Sequence, residues 1–375
     1  MAGEKGSSVL ERVNGKMRRP AGNGPSRPLE ELDRLLRGDI RLLIVVHDNP
    51  DPDSIAAAAA LLYLADKRYG VDGTIAYGGI IGRAENQAMV RKLRLHLKKI
   101  SRIHFENYNR IAIVDTQPGS ANHSLPAGTH CHIVIDHHPR RPHLQADLAS
   151  IDPEIGASAT LLVEWLEDSL LEIPAHLATA LAYAISSETE NLGREASRRD
   201  IQAYFKVFIR SSMRKLSEII HPSLPRCYFQ AVARTLDRAE IFRNLICAHL
   251  GEVHVPDIVP EMADFLLRHE RIRWSLCTGT FKDELIVSIR SSNPKAKAGN
   301  LVRRLFAGRI QSGLNKVGGH DMSAGGRIPL GDFQEKCGAP LEKGLSRDFA
   351  RFLGKTGNDW KPLLNHGTSS KLSPR

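Results

Sequence analysis

The 375-residue chain is 42% hydrophobic and 25% charged, a globular composition sufficient for two domains, and no apolar run reaches the length of about 20 residues needed to cross a bilayer. The first residues lack a signal-type apolar segment, and the five cysteines (Cys131, Cys227, Cys247, Cys277, Cys337) stand singly, so a cytoplasmic protein is expected, without a disulfide framework or a zinc ribbon. The net charge of +10 suggests a nucleic-acid surface, but residues 1–28 hold a surplus of four positive charges and residues 353–375 a surplus of three, so the body between them is only mildly basic.

Residues 1–38 read as a flexible basic tail. The β-branched run "RLLIVV" (Arg41–Val46) predicts a strand, "HDNPDPDS" a loop, and "IAAAAALLYLADKRYG" a helix closed by Gly70. "VDGTIAYGG" predicts the next strand and "ENQAMVRKLRLHL" a helix. "RIAIVDTQPG" and "CHIVIDHHP" predict two more short strands, and "GASATLLVEWLEDSL" and "AHLATALAYAISSE" two helices. Strands alternating with helices imply an α/β domain, over 39–195, with a mostly parallel sheet covered on both faces. The charged helical stretch 196–240, broken by "HPSLPR", reads as a linker. Residues 241–352 read as a second, smaller α/β domain. It has two strands around a turn at Lys282-Asp283, a helix in "GNLVRRLFAG" and the glycine-rich "VGGHDMSAGG". Residues 353–375 read as a second flexible tail.

Three strands of the first domain end in acidic and imidazole residues: His47, Asp51 and Asp53; then Asp115; then Asp136, His137 and His138. Taken singly, each has an ordinary role. Asp51 and Asp53 suit a turn or a helix N-cap, and Asp115 suits a cap of the turn "DTQPG". Ligand sites in open parallel sheets lie outside the carboxyl ends of the strands, where all three groups would converge. Four converging carboxylates repel one another unless cations lie among them. Oxygen-rich sets with some imidazole suit Mn²⁺, Mg²⁺ or Fe²⁺ better than thiolate-held zinc, and the residues suffice for two ions.

Together, "HDNPDPDS", "VDT", "DHHP" and the late "GGHDMSAGG" resemble the DHH phosphoesterase superfamily, in the subgroup with the DHH-associated C-terminal domain. This subgroup includes RecJ-like nucleases, nanoRNases that also act on pAp, and cyclic-di-AMP phosphodiesterases. The resemblance spans roughly residues 40 to 335. It implies a metal-binding catalytic domain holding two divalent ions, most often Mn²⁺ with Mg²⁺ or Co²⁺ as substitutes, and a substrate-binding second domain. By this resemblance His47 and Asp51 bind one metal, Asp53 and His137 the other, and Asp115 bridges both. Asp136 orients His137, and His138 faces the scissile phosphate. The family's fourth motif supplies an aspartate in a D-T pair, whereas this chain has Glu188-Thr189, one methylene longer, with Glu190 beside it.

In the second domain, Arg290 ends the strand "SIRSS" as a phosphate contact, and Gly318, Gly319 and His320 form a loop that lets a ligand approach the backbone. Arg83, Glu85 and Asn86 follow the second strand and are expected at the same cleft, while Lys295 and Lys297 read as a solvated loop. The expected activity is hydrolysis of short oligoribonucleotides to nucleoside monophosphates, or dephosphorylation of pAp. The alternatives are a soluble cyclic or linear dinucleotide phosphodiesterase and a non-catalytic nucleotide-binding protein. The expected partner is a short oligonucleotide or nucleotide phosphate, with no membrane, and a homodimer is compatible with the sequence.

Overall fold

The computed structural model describes residues 27–193, 196–311, 317–319, 321–333, 339–357 and 359–364, with the backbone of 12–13 and 16–17. That backbone forms the short antiparallel pair β1 (Arg12–Val13) and β2 (Lys16–Met17). The chain divides into two compact units, Met1–Ile81 with Met89–Ile220, and Gly82–Ala88 with His221–Arg375.

The first unit is built on a six-stranded sheet of β3 (Arg41–Val46), β4 (Asp72–Tyr77), β5 (Leu97–Lys99), β6 (Arg110–Val114), β7 (Ile133–Asp136) and β8 (Leu148–Ile151). Their order is β5-β4-β3-β6-β7-β8, and every pair is parallel. This is the α/β architecture expected from the alternation of strands and helices. Alternate residues of β3 face opposite sides of the sheet. Leu42, Ile44 and Val46 meet α1 (Arg27–Leu35), α2 (Pro52–Tyr69), α4 (Ser158–Asp168) and α5 (Ala175–Glu188). Leu43 and Val45 meet Ile100, Phe105, Tyr108 and Leu125 on the other side, which 3₁₀ turns and loops cover instead of α-helices. The connection from β6 to β7, rich in Gly, Pro, Asn and His, lacks the apolar period a covering helix needs.

Helix α2 starts at the N-cap Asp51, whose carboxylate accepts from the Ser54 N–H at 2.9 Å, and ends at Gly70 with φ 67. Its buried Ala56, Ala57, Ala58 and Ala60 leave room for α4 and α5 to pack close. The reading of residues 1–38 as a flexible tail is corrected from Arg27 onward, where the chain forms α1. Leu29 and Leu32 on one face of α1, with Leu36 just after it, are buried in the first core.

The reading of 196–240 as a linker is also corrected. Helices α6 (Arg198–Phe208) and α7 (Met213–Ile220) bury Ala203, Val207, Leu216 and Ile219 in the first core, and α8 (Arg226–Arg238) packs on the second unit's sheet. The apolar period of these helices fixes them despite their surface charge.

The second unit holds a mixed seven-stranded sheet. Its strands are β9 (Glu240–Phe242), β10 (Leu245–Glu252), β11 (Trp274–Phe281), β12 (Glu284–Ser291), β13 (Val317–Gly319), β14 (Ser323–Pro329) and β15 (Lys361–Pro362), in the order β13-β14-β12-β11-β10-β9-β15. Only β10 and β11 run parallel. Helix α9 (Ile258–Leu267) packs on one face, and α10 (Ala298–Phe306) and α11 (Ala339–Phe352) on the other. The C-terminal tail contributes as well: β15 pairs with β9, and Trp360 lies 5.3 Å from the Phe242 ring centroid. Among the described residues no helix is long and apolar enough to cross a membrane.

Candidate functional site

The carboxyl ends of β3, β6 and β7 bring the acidic and imidazole residues together. His47 follows β3, and its Nδ1 contacts the Asp48 carbonyl at 3.0 Å. That fixes the ring so that Nε2 lies 3.4 Å from Asp51 Oδ2 and 3.6 Å from Asp115 Oδ2. Asp115 follows β6 on a left-handed backbone, φ 60, a conformation aspartate tolerates better than most residues. Its other oxygen, Oδ1, lies 3.5 Å from His137 Nε2 and accepts from the Ser158 hydroxyl at 2.8 Å. A buried carboxylate thus stands between two imidazoles from neighbouring strand ends. Two triads of donor atoms result, His47–Asp51–Asp115 and Asp115–His137–His138, sharing Asp115.

The roles expected of Asp136 and His137 need correction. Asp136 Oδ1 bonds His138 Nδ1 at 2.8 Å, not His137, and accepts from the His138 N–H at 3.2 Å. His137 is steadied by a backbone hydrogen bond at Ile155. Side chains alternate along an extended chain, so Asp136 shares its side with His138, two residues on, and not with its immediate neighbour. With Nδ1 committed, His138 presents Nε2 to the cluster.

Asp53 is more tightly held than a free ligand would be. Its Oδ2 accepts from the Ser158 N–H at 2.7 Å and its Oδ1 from the Ala159 N–H at 2.8 Å, both at the N-terminus of α4. A carboxylate keeps further lone pairs, so this does not exclude a cation. Glu188, the last residue of α5, lies within the field of Asp51, Asp53, His137 and His138, whereas Glu190 is exposed, with φ 47.

The electrostatics are those of buried carboxylates crowded against one another. Burial first, then the charge of Asp51, pushes Asp53 up to about 7. Burial, Asp51 and Asp53 push Glu188 up to about 7. Asp115, buried and facing Asp53 and Asp51, lies well above the usual carboxylate range. Burial opposes charge on His47, yet the charge and hydrogen bond of Asp51 raise it to about 9. Burial works against Asp136 as well, but its bonds to His138 and Gln117 hold it below the ordinary value. The donor set, mostly oxygen with imidazole, fits hard divalent cations, which would relieve this repulsion.

Two residues of this site carried no sequence signal strong enough to single them out. Ser158 serves both Asp53 and Asp115. Gln117 is buried, its Nε2 donates to Asp136 Oδ2 at 2.7 Å and to the Pro139 carbonyl at 3.1 Å, and its Oε1 accepts from the Arg141 N–H at 2.8 Å. Only the position of Gln117 two residues after Asp115 could have marked it.

In the second unit, Arg290, Gly318 and Gly319 line a cavity of about 380 Å³ on the sheet face beside the start of α9. Arg290 is not free: its Nε donates to Asp264 Oδ1 at 2.6 Å and its Nη1 to the Ser288 hydroxyl at 2.8 Å. His320 lies outside the described residues. Arg83 and Asn86 lie at the start of the helix that follows β4. Their segment groups with the second unit, where Arg83 faces Glu261 and Asp264 on α9 at 3.9 Å and Asn86 is buried. Lys295 is exposed, and Lys297 precedes α10 with φ 54.

Fold and site together define an α/β protein with a carboxylate–imidazole cluster at the carboxyl edge of a parallel sheet. Residues 41–185 match the model of the DHH family, N-terminal domain, so the first unit carries a domain of that family. A protein of Methanocaldococcus jannaschii described as uncharacterized is 37% identical over 297 residues, 78% of this chain and 59% of that protein. A probable manganese-dependent inorganic pyrophosphatase of Enterococcus faecalis is 25% identical over 150 residues, 40% of this chain and 48% of that one. The chain thus spans about half to three-fifths of the length of these relatives. An exopolyphosphatase-related protein from Bacteroides fragilis shares the fold, with a TM-score of 0.65 at 13% identity over 87% of this chain and 96% of that one.

Proposed function

We propose that this protein is a cytoplasmic metal-dependent phosphoesterase that hydrolyses short oligoribonucleotides to nucleoside monophosphates or dephosphorylates pAp. The observation that supports this most is Asp115, a buried carboxylate 3.6 Å from His47 and 3.5 Å from His137. His47, Asp51, Asp115 and His137 would hold the divalent cations, Mn²⁺ with Mg²⁺ or Co²⁺ in its place, and Asp53 and Glu188 would complete the set. Bound there, such ions supply a water of lowered pKa and Lewis acidity toward a phosphoryl oxygen.

The chain's own groups do the rest. His138, raised above its ordinary value because the Asp136 bond and charge outweigh burial, holds a proton on Nε2 for a phosphoryl or leaving oxygen. Asp136 fixes its ring, and Gln117 fixes Asp136. In the second unit, Arg290, Gly318, Gly319 and His320 would bind the remainder of the substrate. The pyrophosphatase relative supports a second reading, hydrolysis of a diphosphate at the same cluster. The test is a panel with Mn²⁺: pAp, di- to pentaribonucleotides, linear and cyclic di-AMP, and pyrophosphate. Turnover of the short ribonucleotides or pAp above the others is expected. Turnover of pyrophosphate alone would favour the second reading, and none at all would leave a nucleotide-binding protein.

A further inference from the structure

The sheet-face cavity of the second unit contains a charge that the phosphate contact at Arg290 does not use. In antiparallel strands, paired residues project from the same face. The register pairs Arg290 with Ser323, Ser288 with Gly325 and Ile286 with Arg327. Since Arg290, Ser288 and Ile286 alternate onto one face, Arg327 shares that face with Arg290, and both line the cavity. Their rungs lie four residues apart, about 13 Å at 3.3 Å per residue. On the rung between them β14 carries no side chain: a Cβ on Gly325 would lie 2.4 Å from the Val287 carbonyl oxygen. Pro256, Asp257 and Pro260 form the adjoining wall.

The two guanidinium groups differ in what they already hold. Arg290 is committed to Asp264, Ser288 and its neighbouring carbonyl. Arg327, half-buried, makes no side-chain hydrogen bond or ion pair among the described residues, although its charge reaches Asp257 on the adjoining wall. A half-buried guanidinium without a paired carboxylate retains its capacity to bind an anion in bidentate fashion. The cavity is a trough with one cation at each end and a volume within the range of small-ligand pockets, roughly 300–1,000 Å³.

We infer that Arg327 is a specificity-determining residue: it receives a second phosphoryl group of an elongated ligand whose first phosphoryl group lies at Arg290. This deepens, and rests on, the reading of the protein as a phosphoesterase of short oligonucleotides. It selects, within that class, chains that carry a phosphate beyond a single internucleotide linkage, such as pApA over ApA.

The test measures binding to the full-length protein with divalent cations chelated, so that no hydrolysis intervenes. ApA and 5′-phosphorylated pApA are titrated by calorimetry into the unaltered protein and into Arg327→Gln, Arg327→Lys and Arg290→Gln. The unaltered protein should prefer pApA by about tenfold or more. Arg327→Gln should erase that preference while leaving ApA affinity within about twofold, and Arg327→Lys should restore part of it. Arg290→Gln should weaken both ligands. Unchanged melting temperatures would show that each variant is folded. An equal loss on both ligands in Arg327→Gln, or none on either, overturns the assignment. If the Mn²⁺ panel shows no hydrolysis yet the preference disappears in Arg327→Gln, the catalytic reading fails and the trough assignment stands.

Discussion

Asp115 faces His47 and His137 from a left-handed backbone and is raised by burial and three neighbouring aspartates. Asparagine tolerates the same conformation, so Asp115→Asn isolates the charge from the shape. Activity with Mn²⁺ should fall by more than about 100-fold, beyond the 10–100-fold typical of residues that merely support ligands. Bound manganese per chain, measured by elemental analysis, should fall with it. The metal-free variant should melt at a higher temperature than the unaltered protein, because a repelled buried charge is gone. Full manganese occupancy in Asp115→Asn would remove the residue from the cation site. Glu188 and Glu190 separate in the same way. Glu188 lies in the cluster's field and Glu190 is exposed. Glu188→Ala should therefore abolish most turnover, Glu188→Asp should retain it, and Glu190→Ala should match the unaltered enzyme. Comparable activity in both alanine variants would show that the cluster functions without either.

The junction of α2 and α4 depends on Asp53, whose two oxygens receive the first N–H groups of α4. Backbone donors at a helix start have no partner within the helix, so this carboxylate closes the end of α4 while anchoring it to α2. Asp53→Asn keeps one acceptor and turns an amide donor toward the other N–H. The loss should be about 1–3 kcal/mol in urea unfolding of the metal-free protein. No change in the midpoint would mean that this contact is dispensable to the fold. Helix α1 makes a comparable point through packing. Leu32 is fully buried beneath the first sheet, and Leu32→Ala should cost about 2–5 kcal/mol by the same measurement. A cost below about 0.5 kcal/mol would return α1 to the tail in which its sequence first placed it.

For the whole molecule, the cluster couples stability to pH and to cations. In the folded protein Asp53 and Glu188 titrate at about 7, against ordinary values of 3.8 and 4.5, so between those limits the folded state holds protons that the unfolded chain has released. Stability therefore falls as pH rises through that window. His47, raised to about 9 from 6.5, acts in the same direction: its contribution is complete below 6.5 and is lost as pH rises through 9. The metal-free protein should accordingly melt at a lower temperature at pH 8.5 than at pH 5.5. Manganese should raise the melting temperature more at pH 8.5, where the carboxylates are already deprotonated. A metal-free protein more stable at pH 8.5 would contradict the charge balance described for the cluster.

The sequence by itself determined the parallel first sheet and the order in which its strand ends deliver acids and imidazoles. Both follow from local apolar runs and from side-chain alternation, which need no knowledge of distant contacts. It also marked Arg290, because a strand-end arginine is visible in "SIRSS". Tertiary structure alone decided the partners. Asp136 faces His138 because the chain leaves β7 still extended, and Ser158 reaches Asp53 and Asp115 because α4 packs against α2 some 100 residues later in the chain. The helices of 196–240 were legible as helices but not as parts of two cores, since their charged residues mask an apolar face that only packing reveals. Arg327 stayed hidden for a related reason: it shares a face with Arg290 only through the register of β12 on β14, and register between strands more than 30 residues apart is fixed by the packed sheet rather than by either strand's own residues.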